Sequence, residues 1–274
     1  MRIALINENS QAAKNSLIEA ALKKVVEAHP YLSVSFEKAE NGDIVAVKNR
    51  TASVIIPIKN EEPQMEELVR PFDLLSKEPL YRCCLFDHEN GKYLFLDTHH
   101  IISDGASISI LLEDINHAYD GKEVAGETYT GFDRAVDEEK MRSTARYEAA
   151  KSWYDSIYKG CDAVTLPLYE KTDSKETIAI DNRSGSIPAD RVRDFCSENN
   201  VTPNAFFTAA FGFALKAYTG SECAIFATIY NGRIDPRLER SVSMFVKTLP
   251  VMLTADPEET VLSYIEGRQS YLVN

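Results

Sequence analysis

Two adjacent histidines and a nearby aspartate carry the clearest chemical signal in the sequence. His99 and His100 are followed by Asp104 and then by Gly105. Histidine is the usual general base near neutral pH, and an amine or hydroxyl that attacks an acyl carbonyl needs such a base and hydrogen-bond donors for the oxyanion. The segment can supply both the base and the donors. The same residues would also suit a satisfied core histidine and a helix-capping aspartate, and residue chemistry alone does not decide between the two readings.

The segment lies between a predicted strand, Tyr93–Thr98, and a predicted helix. Neighbouring residues of a strand point to opposite faces, so His99 and His100 cannot enter one site unless the backbone has already turned, which argues against a shared metal ion. Gly105 permits backbone angles that other residues resist, so a sharp turn could bring the Asp104 carboxylate back beneath the imidazole or into the adjacent structure. The following helix is predicted from a buried stripe of Ile108, Leu111, Leu112 and Ile115.

Elements of both types are predicted along the rest of the chain. A helix is indicated by apolar pairs from Leu17 to Val26, a polar helix by residues 133–158, and a helix buried on all sides by the apolar segment from Pro203 to Tyr218. Short apolar stretches predict strands at Val34–Phe36, Ile44–Val47, Val54–Ile58 and Tyr81–Phe86. Helices that alternate with short strands indicate an α/β sandwich.

Composition excludes several classes of protein. The 274 residues are 44% hydrophobic and 26% charged, with a net charge of −12, so global disorder is excluded and nucleic-acid or membrane-surface binding is disfavoured. No apolar run approaches the roughly 20 residues needed to cross a bilayer, and the chain turns polar at Asn7, which predicts a cytoplasmic protein. The five cysteines lack the spacing of zinc or redox sites and are interpreted as reduced thiols.

The spacing His-His-x-x-x-Asp-Gly is specific, since it is expected by chance on the order of once in several thousand sequences of this length. It resembles the signature of the condensation domains of nonribosomal peptide synthetases and of their relatives in the chloramphenicol acetyltransferase-like superfamily. Further segments are similar to motifs of that family and occur in the family's order: Ala28–Phe36, Pro71–Leu74 followed by Pro79–Arg82, Asn231–Arg233, and Ser243–Pro250.

The resemblance implies an α/β fold of two chloramphenicol acetyltransferase-like lobes with a tunnel between them. Residues 1–172 would form a nearly complete N-terminal lobe that carries the motif, and residues 173–274 the beginning of a C-terminal lobe. The polar segment Lys171–Glu176 is interpreted as the linker. The family's opening element and its last motifs are missing, so the chain is expected to be incomplete at both ends.

The resemblance also implies an activity: an acyl or aminoacyl thioester on one carrier protein is joined to an acceptor amine on another, both on phosphopantetheine arms. No cofactor or metal is expected to bind the domain directly. By this similarity His100 orients or deprotonates the amine and His99 supports it. Asp104 would be structural, with Arg233 as its ion-pair partner, and Gly105 would present an amide hydrogen.

Several positions depart from the family pattern, namely Ala28, Ser33, Ser243 and Lys247. They leave two alternatives open. The chain could be a stand-alone O-acyltransferase of the same superfamily that uses coenzyme A or carrier thioesters. It could also be a non-catalytic relative that docks carrier proteins.

Overall fold

The computed structural model describes residues 4–5, 13–49, 57–59, 64–88, 91–159, 184–254, 256 and 258–273. The chain divides into two compact units. The first unit consists of residues 1–147 and 230–247, and the second of residues 148–229 and 248–274. The predicted lobe boundary between residues 172 and 173, and the predicted linker Lys171–Glu176, lie outside the described residues, so this division into lobes stays a prediction.

The first unit contains sheets and helices of the predicted α/β class. A four-stranded sheet has the strand order β1-β6-β5-β4, with β1 (Ala4–Leu5), β4 (Ile58–Lys59), β5 (Tyr81–His88) and β6 (Gly91–Thr98). A separate antiparallel hairpin pairs β2 (Val34–Lys38) with β3 (Ile44–Lys48). The helices are α1 (Ala13–Ala28), the single turn α2 (Met65–Leu68), α3 (Gly105–Tyr119) and α4 (Gly131–Met141).

The first unit's core lies between α1, α3 and the paired strands β5 and β6. The stripe predicted for α1 is confirmed for Ile18, Ala21, Leu22 and Val25, which are each at most 2% exposed, but its first residue, Leu17, is 48% exposed. Strands β5 and β6 run antiparallel, with the buried pair Leu85 and Leu94 in register. On α3, the predicted Ile108, Leu111 and Ile115 are buried in the same cluster, whereas the predicted Leu112 is only partly buried. Hydrophobic periodicity therefore gives the correct inner face of both helices.

The polar helix predicted for residues 133–158 is two helices in the structure. The first is α4 and the second is α5 (Ala145–Tyr158). At the break, the hydroxyls of Ser143 and Thr144 donate to the carbonyl oxygens of Lys140 and Met141 at 2.9 and 2.7 Å. Serine and threonine side chains compete in this way for backbone groups, which explains why the helix ends here.

The second unit contains most of α5. It also contains α6 (Ala189–Glu198), α7 (Pro203–Thr219), β7 (Cys223–Tyr230), β8 (Lys247–Thr254) and α8 (Val261–Val273), with β7 and β8 paired in a two-stranded sheet. Its described core contains Ala205 and Ala209 of α7 together with Tyr264 and Ile265 of α8. Thr202 begins α7 as its N-cap, because its side chain accepts a hydrogen bond from the Ala205 amide.

The prediction that α7 is buried on all sides is wrong. Phe207, Phe211 and Phe213 are 45%, 55% and 60% exposed, whereas the buried face of the helix carries small residues such as Ala205 and Ala209. The apolar character of a helix indicates how much free energy its burial would contribute. It does not show that another element covers each face.

Two further predictions concern the cysteines and the membrane. Cys83, Cys84 and Cys196 are buried and not disulfide-bonded, as predicted, but Cys223 is disulfide-bonded, which corrects the prediction for that residue. Among the residues that the structure describes, no helix combines the length and the apolar character that a membrane span requires.

Candidate active site

The two histidines lie where β6 ends and a tight turn begins. The His99 amide donates to the Leu80 carbonyl oxygen at 2.9 Å, and the His99 carbonyl oxygen accepts from the Ile102 amide at 3.1 Å. The His99 ring completes the turn, because its Nδ1 accepts a hydrogen bond from the Ile101 amide at 3.0 Å. His99 is consequently half-buried, whereas His100 is exposed. The two imidazoles therefore differ in exposure, although both follow the end of the strand and lie in the turn.

Asp104 begins helix α3 as its N-cap. Its Oδ1 accepts hydrogen bonds from the backbone amide and the hydroxyl of Ser107, both at 2.8 Å, and its Oδ2 accepts one from the Phe245 amide at 3.1 Å. The side chain is completely buried. Helix capping, which the sequence offered as an alternative to a functional role, is therefore one of several contacts that hold this carboxylate.

Arg233 forms a two-pronged ion pair with Asp104. One guanidinium nitrogen lies 2.8 Å from Oδ2 and the other 2.9 Å from Oδ1, and the arginine side chain is only 6% exposed. Burial raises the pKa of the Asp104 carboxyl, but the hydrogen bonds from Arg233, Ser107 and Phe245 together lower it by more than burial raises it. The pKa therefore lies below the ordinary value of 3.8. Asp104 is thus a fixed carboxylate, with its lone pairs engaged by donors.

Ser107 joins α3 to residues 241–245, a link that sequence reasoning missed. Its hydroxyl oxygen lies 2.8 Å from the Ser243 carbonyl oxygen, and it accepts from the Ser243 amide at 3.2 Å and from Arg233 at 3.0 Å. The available signal was a small polar residue on the inner face of an apolar helix. Such a residue must find hydrogen-bond partners when it is buried.

Gly232 and Gly105, two glycines of the motifs described above, differ in whether their backbone conformation and surroundings require glycine. Gly232 has a φ of +76°, and a Cβ atom there would overlap the carbonyl group of Phe245. Gly105 is the first residue of α3, has no positive φ, and would have open space around a Cβ atom. The expectation that Gly105 provides an unusual backbone angle is therefore wrong. Its predicted role as an amide donor stays a prediction.

His29 is the centre of a second buried network, to which sequence reasoning gave no role beyond a motif match. Its Nδ1 lies 2.7 Å from Oε1 of Glu127 and its Nε2 lies 2.9 Å from Oδ2 of Asp114. Glu127 also accepts from the Val242 amide at 2.8 Å, and Asp114 accepts from Arg240 at 2.5 Å. The network therefore connects α1 and α3 to the same segment that carries Arg233.

The arrangement offers acid-base and hydrogen-bonding chemistry. The exposed imidazole of His100 lies in a turn whose flanking residues are hydrogen-bonded. The turn is followed by α3, and the Asp104 ion pair holds the start of that helix. Such an imidazole can orient a nucleophile or accept its proton. Within the described ranges, no group of three histidine, cysteine, aspartate or glutamate side chains could hold a metal ion.

Comparison with known proteins shows the family to which the chain belongs. The family model described as "Condensation domain" matches residues 4–274. The chain is 26% identical over 257 residues to bacitracin synthase 3 of Bacillus licheniformis and 28% identical over 261 residues to surfactin synthase subunit 2 of Bacillus subtilis (strain 168). These matches cover 90% and 92% of the chain but only 4% and 7% of the synthases.

Solved structures share the fold at low identity. The epimerization domain from the third module of tyrocidine synthetase B superposes with a TM-score of 0.81 at 19% identity, over 99% of this chain and 67% of that one. The first condensation domain of the calcium-dependent antibiotic synthetase, in complex with a substrate analogue, gives a TM-score of 0.73 at 20% identity, over 94% of this chain and 65% of that one. The chain thus spans about two thirds of the length of these domains.

Proposed function

Because the chain belongs to the condensation-domain family, we propose that it forms an amide bond between two carrier-bound substrates. The donor is an acyl or aminoacyl group held as a thioester, and the acceptor is an amine. The observation that carries the proposal is the His-His-x-x-x-Asp-Gly turn, in which His100 is exposed while Asp104 is buried in an ion pair with Arg233. The division of roles that the resemblance implies agrees with this difference in exposure.

The reaction makes one bond and breaks another. The acceptor nitrogen attacks the thioester carbonyl carbon, the C–N bond forms, the C–S bond breaks, and the thiol leaves with a proton. His100 orients the amine or accepts its proton, and His99 shapes the turn that presents His100. Asp104 and Arg233 hold the start of α3 in place, and Gly105 leaves open space there.

The partners in this proposal are peptidyl or acyl carrier proteins, or carrier domains of the same polypeptide. Their phosphopantetheine arms bring both substrates, so the domain needs no cofactor of its own. The net charge of −12 makes a nucleic-acid partner unfavourable. The cytoplasmic location stays a prediction.

The test supplies a loaded donor carrier and a loaded acceptor carrier and detects the transferred acyl group by mass spectrometry. We expect product with the wild type and with His117→Ala, a matched control on α3, and at least a hundredfold less with His100→Ala. Transfer from coenzyme A to a free alcohol would instead support the O-acyltransferase alternative. Saturable carrier binding without any product would support a docking role.

A further inference from the structure

Arg82 holds the segment before β5 against the sheet. Its guanidinium donates to the carbonyl oxygens of Arg70 and Pro71 at 2.6 and 2.8 Å, and to Oδ2 of Asp97 at 3.0 Å. Asp97 is the residue opposite Arg82 on β6, and the two side chains are 12% and 24% exposed. A guanidinium with three acceptors in different directions has little freedom to rotate.

The guanidinium also covers the ring of Phe72. Its central carbon lies 3.7 Å from the ring centroid, which is a close cation–π contact. The Phe72 ring in turn meets the His99 imidazole, with the centroids 5.9 Å apart and the planes at 87°. A continuous line of contacts therefore runs from Arg82 through Phe72 to His99.

The orientation of the His99 ring determines a hydrogen bond of the turn. Its Nδ1 accepts from the Ile101 amide, one residue beyond His100. A ring rotated by half a turn would place a carbon atom at that amide, so the bond exists only in one orientation. A neutral ring in this orientation carries its proton on Nε2.

We propose that Arg82 and Phe72 are positioning residues, which fix the orientation and tautomer of His99 and thereby the turn that presents His100. The statement about turnover rests on the proposed function, whereas the statement about His99 does not. Neither residue needs to touch substrate for this role. A misplacement of about 1 Å at a reacting group can reduce turnover on the order of a hundredfold, so a small rotation of the turn is sufficient.

The first measurement is the His99 ring itself, in long-range ¹H–¹⁵N spectra under mildly alkaline conditions, assigned with His99→Gln. In the wild type we expect one tautomer, with the proton on Nε2. In Arg82→Met and in Phe72→Leu we expect nitrogen shifts that move towards the average of the two tautomers. Arg82→Lys keeps the charge but loses the planar guanidinium, so its nitrogen shifts should lie between those of the wild type and those of Arg82→Met. Arg146→Met replaces an exposed arginine on α5 and should leave the spectrum unchanged.

The second measurement is steady-state condensation with loaded carriers. We expect Arg82→Met to lower kcat by about ten- to a hundredfold while KM for each carrier changes less than about twofold, with partial recovery in Arg82→Lys. If Arg82 only stabilised the fold, its replacement would not change the His99 tautomer in a variant whose unfolding midpoint equals that of the wild type. If Arg82→Met does not fold, Phe72→Leu and Arg82→Lys decide the question. Wild-type nitrogen shifts in these folded variants overturn the proposal, and a wild type that makes no product refutes only the proposed function.

Discussion

Replacement of Arg233 by methionine tests whether Asp104 depends on its ion pair for stability. The substitution removes two hydrogen bonds, of 2.8 and 2.9 Å, from a carboxylate that is completely buried. Loss of one partner from a buried pair costs about 3–5 kcal/mol. Because the donors from Ser107 and Phe245 remain, we expect the lower end of that range, about 3 kcal/mol.

The measurement is urea unfolding followed by circular dichroism on Arg233→Met, Asp104→Asn and the double variant. We expect the double variant to lose about 2 kcal/mol less than the sum of the single losses, because both single variants break the same interaction. Arg142→Met removes an exposed ion pair with Glu139 and is the matched control, with an expected loss of at most about 0.5 kcal/mol. A loss below about 1 kcal/mol for Arg233→Met, or simple additivity, would refute the argument.

The same pair has a pH dependence of known sign. The folded pKa of Asp104 is lowered, so its carboxylate contributes stability that is fully present above the unfolded pKa of about 3.9. That contribution disappears as the pH falls through the folded pKa. The stability difference between the wild type and Asp104→Asn should therefore be constant near neutral pH and shrink below about pH 4. A difference that grows on acidification would contradict the assignment.

Three further substitutions give distinct expectations. Gly232→Ala should destabilise the protein by about 2–4 kcal/mol in urea unfolding, because the new Cβ overlaps the Phe245 carbonyl group at a positive φ, and a loss under about 1 kcal/mol would contradict this. Gly105→Ala should change stability by less than about 1 kcal/mol, since a Cβ there meets open space. If substrate occupies that space, the same variant should have a lower rate of condensation, and unchanged kcat and KM would exclude such occupancy. His29→Gln should cost about 2–4 kcal/mol because a buried carboxylate loses a donor, and a thermal midpoint like that of the wild type would argue against this network.

The local elements were largely predictable from the sequence. The stripes of α1 and α3 follow from periodicity, because each helix has one buried face. The hairpin of β2 and β3 follows from its two short apolar stretches, although every residue of β3 is exposed. The break between α4 and α5 was missed, since hydroxyls that bond to the backbone leave the polar pattern unchanged. The exposure of Phe211 was missed because hydrophobicity does not reveal which neighbours are present.

The candidate site was predictable only where a motif joined distant residues. Arg233 was paired with Asp104 by resemblance to a family, and the structure brings the two side chains together. The contacts of His29 span 98 and 85 residues, and no local pattern indicates them. Arg82 is part of a motif that resembles the family's, but its contact with Phe72 depends on the path of the segment before β5, which residue spacing does not predict.

The position of Arg233 in the chain has a consequence for synthesis. It follows Asp104 by 129 residues, and the first unit is completed only by residues 230–247. At a translation rate of about 5–20 residues per second, the ribosome adds Arg233 roughly 6 to 26 s after Asp104. During that interval Asp104 lacks its cation, and burial of an unpaired carboxylate is unfavourable, so the start of α3 should stay hydrated and incompletely packed until the later segment emerges.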